Sequence, residues 1–238
     1  VYGLAANALD AKAVARIFDA KNRPHFNPLI IHISESSELN KFTGTIPSYV
    51  APIIRQFWPG PLTLVLPKSD IVPDIVTGGL DTVAIRIPDH PMTLELLKTL
   101  SFPLAAPSAN PFQYISPTKA QHVADQLKYK VDYILDGGDC KVGIESTIVK
   151  CEEDQMLILR EGKIQKEELE NVVKIPVLKA SKDHSKEAPG MLSRHYKPGK
   201  QLVIGNIRQL ISQYPNQKIG ILSFKNHFSA SSIHCMEV

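Results

Sequence analysis

The feature that most constrains this chain is a set of short apolar runs, each bounded by proline, glycine or polar turns: "PLIIHI", "LTLVLP", "TVAIRIP", "STIVKC" and "MLILREG". Runs of this length, rich in Ile, Val and Leu, read as buried strands. Stretches with helical spacing lie between them. In "ALDAKAVARIFDAK", Asp10 is the N-cap candidate and Ala13, Val14, Ile17 and Phe18 share one helical face. That helix must stop before Asn22-Arg23-Pro24, because proline cannot extend a helix and disfavours helical backbone at the residue before it. "SYVAPIIRQFW", closed by Pro59-Gly60, "PMTLELLKTL" and "TKAQHVADQL" read as further helices, "PLAAPSAN" as a strand end and "YILDGG" as a strand. "STIVKC" and "MLILREG" form a hairpin across Glu152-Glu153-Asp154. Helices and strands alternate without a strict βαβ rhythm, which predicts an α/β domain built on a twisted, mixed sheet, ending near residue 175.

The composition then changes. "LKASKDHSKEAPGMLSRHYKPGK" is poor in apolar residues and carries several Lys and Ser with two prolines near glycines, which gives a linker over residues 176–200. "QLVIG", "NIRQLISQYP" and "KIGILSF" follow as strand, helix and strand, the opening of a small Rossmann-like βαβ unit over residues 201–238 that Val238 leaves incomplete. At the other end, Val1-Tyr2-Gly3-Leu4 reads as the end of a strand entering a loop. The expectation is a chain numbered from within its natural sequence.

With 238 residues and 43% hydrophobic content, the chain can bury a sizeable core. A formal net charge of +3, spread along the sequence, lacks the basic stripe of a dedicated nucleic-acid binder, although transient contact with RNA stays open. Cys140, Cys151 and Cys235 are odd in number and far apart, so they read as free thiols in a reducing compartment. No apolar run is long enough to cross a bilayer. A cytoplasmic location is expected.

The residues that carry chemistry are cations, hydroxyls and one histidine at strand ends. In "KNRPHFN", Pro24 stiffens a loop on which Lys21 and Arg23 can converge on an anion, and the competing reading is a solvated helix C-terminus complementing the dipole. His32 alternates with Ile31 and Ile33 and so faces the other side of the sheet. Arg86, set among Val83, Ala84, Ile85 and Ile87, must either pair with a structural carboxylate or clamp a substrate's. "LAAPSANPF" ends a strand with small residues and offers Ser108 and Asn110 where α/β sheets bind ligands. "GIESTIV" adds Ser146 and Thr147, and "LILREG" adds Arg160. The sequence contains no GxSxG elbow, Walker loop, GxGxxG or HExxH, and no cysteine motif for covalent catalysis.

In order along the chain, "VYGLAANA", "IFDAKNRPHFNPLIIHI", "WPGPLTLVL", "VAIRIPDHP", "PLAAPSAN" with "SPT", "GIESTIV", "LREG" and "APGMLSRHYKPG" resemble the YrdC-like threonylcarbamoyl-AMP synthases in their longer, two-domain form. The resemblance implies synthesis of threonylcarbamoyl-adenylate and pyrophosphate from L-threonine, bicarbonate and ATP with Mg2+, the product passing to the tRNA threonylcarbamoyl transferase machinery. It implies Lys21, Arg23 and Asn27 at the ATP phosphates and the bicarbonate-derived group, with Lys21 and Arg23 catalytic. Threonine would meet His32, Arg86, Ala106 and Ser146. Thr82, Ser108, Asn110, Ser116 and Arg160 would form the nucleotide site with Tyr196, and Arg194, His195 and Tyr196 would act as a lid. Two departures stand out: no Pro-Thr-Glu/Asp-Thr segment precedes Val1, and Pro111–Ile115 replaces the usual Ser-Gly after Asn110. The alternative is a double-stranded RNA-binding module without catalysis.

Overall fold

The computed structural model describes residues 1–181, 187–190, 201–215, 217 and 219–222. They fall into two compact units, Val1–Lys197 and Pro198–Val238.

The first unit is organised by an eight-stranded mixed sheet with strand order β1-β5-β2-β4-β3-β6-β7-β8. Its strands are β1 (Ala6–Asn7), β2 (Ile30–His32), β3 (Leu62–Pro67), β4 (Thr82–Arg86), β5 (Leu104–Ala105), β6 (Thr147–Cys151), β7 (Met156–Arg160) and β8 (Val177–Lys179). The pairs β2/β4, β3/β6 and β7/β8 are parallel, and the remaining neighbours antiparallel. The mixed α/β architecture follows the sequence expectation. Two details differ. Residues 133–138, expected as a strand, carry no regular element and leave Leu135 exposed, whereas Val177–Lys179 adds a parallel strand beyond the boundary read at 175.

Alternation along the strands sorts side chains onto two faces, as the period of two requires. Ile31, Leu62, Leu64, Leu66, Val83, Ile85 and Val149 join the main core, where the helices α1 (Ala11–Lys21) and α2 (Val50–Phe57) contribute Val14, Ile17, Phe18, Val50 and Ile53. Ile30, Val65, Ala84, Ile148, Leu157 and Leu159 form a smaller apolar cluster on the opposite face, with Ala188 against it. The polar residues His32, Thr63 and Arg86 share that second face by the same alternation.

The first helix behaves as its sequence dictates. Asp10 caps it by accepting from the backbone N–H groups of Lys12 (2.9 Å) and Ala13 (3.3 Å), and it ends at Lys21 because Asn22 turns left-handed at φ 51°. α3 (Pro91–Thr99) starts with proline in its first turn, where the missing N–H is harmless. In the second unit the expected helix is present at Ile207–Gln213, capped by Asn206, while the described residues on either side form no strand. A strand needs a hydrogen-bonding neighbour to form.

Beside β6 and β7 the backbones approach so closely that only glycine fits. A Cβ on Gly162 would lie 2.4 Å from the Thr147 nitrogen and 2.6 Å from the Glu145 oxygen, contacts that neither backbone can relieve. Gly162→Ala is therefore expected to cost about 1–3 kcal/mol in urea denaturation, toward the upper end. A stability unchanged by this substitution would show that the strand pair tolerates separation.

Candidate active site

A cavity of about 920 Å³ opens within the first unit, with Arg23, His32, Arg86, Ser108, Ser146 and Arg160 all on its wall. The polar groups come from strand ends and the loops that follow or precede them. β2 and β4 run parallel with His32 directly opposite Arg86, so the imidazole and the guanidinium are neighbours on one face. β3 runs back antiparallel to β4, which brings Gly60 beside the end of β4; its carbonyl accepts from Arg86 Nε at 2.8 Å.

Each arginine is aimed by backbone oxygens. Arg23 is 9% exposed and donates to the Asn27 carbonyl (3.2 Å), Asn27 Oδ1 (2.8 Å) and the Pro28 carbonyl (2.8 Å), with its Cζ 5.9 Å from the centroid of the Phe112 ring. Arg160 donates to the Ser146 carbonyl (2.9 and 3.1 Å), to Ser146 Oγ (3.1 Å) and to the Pro189 carbonyl (3.0 Å). Neither Arg23 nor Arg86 forms an ion pair among the described residues. Burial lowers both guanidinium pKa values. Arg23 falls to about 9 with Arg160 adding to the effect, and Asp89 partly offsets the shift at Arg86. Among the described residues, then, no structural carboxylate forms an ion pair with Arg86.

His32 is held neutral. Burial lowers its pKa to about 3 and the adjacent Arg86 pushes the same way; the Leu104 and Ile30 carbonyls favour the proton, yet Nδ1 makes no well-formed hydrogen bond to the described residues. Ser146 is buried, with its hydroxyl shared between Thr63 Oγ1 (2.7 Å) and Arg160. Thr63 escaped the sequence reading. The signal was present, because a hydroxyl on the same face as Val65 in "LTLVLP" needs a buried partner.

Other expected residues stand behind the wall. Lys21 is 1% exposed, does not line the cavity and gives its ammonium to the carbonyls of Ser108 and Asn110. Asn110 is buried and secures the following loop, its Nδ2 donating to the carbonyls of Pro111 (2.9 Å) and Tyr114 (2.8 Å). Ser116 is also buried and donates to Glu145, whose residue does reach the cavity wall. Asn27 and Ala106 line the cavity. Thr82 does not: it begins β4, opposite Pro67, four residues or roughly 13 Å from Arg86 along the strand. The family resemblance assigned it to the nucleotide site, and the strand's length carries it to the far edge. Arg194, His195 and Tyr196 lie outside the described residues.

Among the described residues no group of three His, Cys, Asp or Glu side chains gathers to hold a metal ion. The site is instead a hollow whose buried cations are fixed from behind by carbonyl oxygens; Asp89 and Glu145 also reach its wall, and neither forms an ion pair with Arg23 or Arg86. The RNA-binding alternative from the sequence asks for cations displayed on an outer surface. Lys21 and Arg23 are buried, and no observation supports it.

Comparison with known proteins gives concordant matches. The Sua5–YciO–YrdC family model, described as "Telomere recombination", matches residues 1–162, and the model described as the C-terminal domain of threonylcarbamoyl-AMP synthase matches residues 164–237. The threonylcarbamoyl-AMP synthase of Pyrococcus abyssi is 43% identical over 237 residues, covering 93% of this chain and 70% of that protein. The enzyme of the same name from Bacillus subtilis is 44% identical over 234 residues, covering 94% of this chain and 68% of its own. The crystal structure of P. abyssi Sua5 complexed with L-threonine superposes with a TM-score of 0.88 at 42% identity, over 99% of this chain and 73% of that one.

The state of His32 has a pH signature. Its folded pKa lies below the ordinary 6.5, so between about pH 6.5 and 3 the unfolded chain binds a proton that the folded one refuses, and stability falls as pH falls through that window. His32→Asn is expected to flatten this part of the stability profile relative to wild type in urea titrations from pH 7 to 4. Parallel profiles for the two proteins would mean that His32 titrates normally in the folded state.

Proposed function

The chain belongs to the Sua5–YciO–YrdC family, and from that premise we propose that it is a threonylcarbamoyl-AMP synthase acting on L-threonine, bicarbonate and ATP. One observation carries this beyond family membership: Arg23 and Arg86 are turned to one cavity, largely desolvated, with no carboxylate partner among the described residues. Buried cations left in this way ask for anionic ligands.

The reaction supplies anions of the right kinds. Threonine's amine, as the free base, and bicarbonate give a carbamate and water, forming a new N–C bond. A carbamate oxygen then attacks the α-phosphorus of ATP while the bond from that phosphorus to the bridging oxygen breaks, and pyrophosphate leaves with the electron pair. Charge builds on the departing oxygens, so catalysis calls for positioning and cations more than for a protein nucleophile.

In this reading Arg86 receives the threonine carboxylate, for which a planar fork held at Nε by Gly60 is suited. Neutral His32, beside it, offers ring nitrogens for hydrogen bonding without adding charge, and Ala106 and Ser146 complete the amino-acid end. Arg23, kept in line by Asn27, and Arg160, kept in line by Ser146, take the phosphates, with Ser108 on the same wall. Mg2+ would arrive on the ATP phosphates; with no gathering of protein ligands among the described residues, no step here is assigned to it. The product would pass to the transferase machinery that modifies tRNA adenosine. No helix of the described residues is long and apolar enough to cross a membrane, and the proposed substrates place the enzyme in the cytoplasm.

Arg23→Ala is expected to lower threonine- and bicarbonate-dependent pyrophosphate release by about 10²-fold or more while leaving the far-UV circular dichroism unchanged. Wild-type turnover in that variant would refute the assignment. Mass spectrometry of the nucleotide product, with a panel of amino acids supplied alongside ATP and bicarbonate, tests the substrate directly.

A further inference from the structure

We infer that Lys21 is a positioning residue: its buried ammonium grips the Ser108 and Asn110 carbonyls, holding the 108–112 loop as a wall of the cavity, and does not itself touch the nucleotide. The inference rests on the proposed function for its kinetic consequence and on the geometry alone for the grip.

Lys21 is the last residue of α1 and is tied to the loop twice. Its side chain donates to the carbonyls of Ser108 and Asn110, and its own backbone carbonyl accepts from the Phe112 N–H at 2.8 Å. The loop has few other ties. Ala109 donates to the Tyr2 carbonyl at 2.8 Å, and the rest of its bonding is internal or to its own continuation. Ser108, Ala109 and Phe112 line the cavity, and Phe112 is the ring beneath Arg23. Moving this loop therefore moves a wall of the site and the platform of one of its cations.

The ammonium is turned away from a bound phosphate: it is 1% exposed, it is not on the cavity wall, and two of its three donors go to carbonyls. The charges that face it are Arg23, which disfavours its proton, and Glu145, which favours it; with burial the largest influence, its pKa falls to about 7. Hydrogen bonds from a charged donor are roughly twice as strong as neutral ones, so the grip is firmest while the proton is on.

Hydrogen exchange of the substrate-free protein, paired with steady-state kinetics, tests this in Lys21→Met. The expected result is about tenfold faster exchange at the Ala109 and Phe112 amides, with the amides of β3 unchanged. The KM for ATP should rise about tenfold while that for threonine stays within about twofold. Loop exchange at the wild-type level in a variant with a raised ATP KM would overturn the inference, because the ammonium would then act on the nucleotide directly. Faster loop exchange with unchanged KM values, or faster exchange extending to β3, would overturn it as well. If Lys21→Met does not fold, Lys21→Gln carries the same readouts, and loop exchange and ATP KM must still move together. A wild-type enzyme without threonine-dependent pyrophosphate release would refute the proposed function, while loop exchange in the substrate-free variants would still decide whether Lys21 grips the loop.

Discussion

The site depends first on holding Lys21, Arg23 and Arg86 by carbonyl oxygens, with no carboxylate at ion-pair distance from them among the described residues. An isolated cation in a protein interior is strongly disfavoured, and the usual remedy is a carboxylate at ion-pair distance. Here the remedy is a set of carbonyl dipoles. Gly60, Asn27, Pro28, Ser108, Asn110, Ser146 and Pro189 all turn backbone oxygens toward a lysine or an arginine. A carbonyl satisfies a donor and fixes its direction without neutralising the charge. The positive field of the cavity is thereby kept for a ligand, whereas a carboxylate in the same place would have cancelled it.

The same choice explains why the groups behind the cavity matter as much as those on its wall. Asn27 reaches Arg23 with both its main-chain and side-chain oxygens, and Ser146 does the same for Arg160. Thr63 in turn shares the Ser146 hydroxyl. A guanidinium held at several points loses little rotamer freedom when an anion arrives, which is the condition for preorganised electrostatic stabilisation. The neutral imidazole of His32 fits this economy: a second charge beside Arg86 would raise an electrostatic cost that the Leu104 and Ile30 carbonyls only partly offset.

Legibility in the sequence followed the range of the interaction. Local signals were reliable. The Asp10 cap, the stop before Pro24 and the alternation that turns His32 away from Ile31 and Ile33 are all visible within a few residues and all present in the fold. What depended on partners far along the chain was not readable. "YILDGG" has strand composition but no strand beside it, and "VLK" was counted as linker although it pairs with β7. Lys21 carries the same lesson at the level of a side chain. A lysine beside an arginine in a stiff loop looks like two phosphate ligands, and only the return of residues 108–112 to the end of α1 reveals that two of its three donors go to the Ser108 and Asn110 carbonyls.

The mixed direction of the sheet is what brings residues from distant segments to one edge. Because β2 and β4 are parallel, their carboxyl ends coincide and place His32 against Arg86. Because β3 is antiparallel to β4, its start lies at that same edge, and Gly60 can receive Arg86. β6 is parallel to β3, with Thr147 opposite Leu62, so Ser146 enters at the edge too. β7 then returns antiparallel and ends there, delivering Arg160 onto Ser146. Reversing any one of these strands would move its polar end about a strand length away, as Thr82 at the opposite end of β4 illustrates. The order of strand directions is therefore as much a part of the site as the side chains that line it.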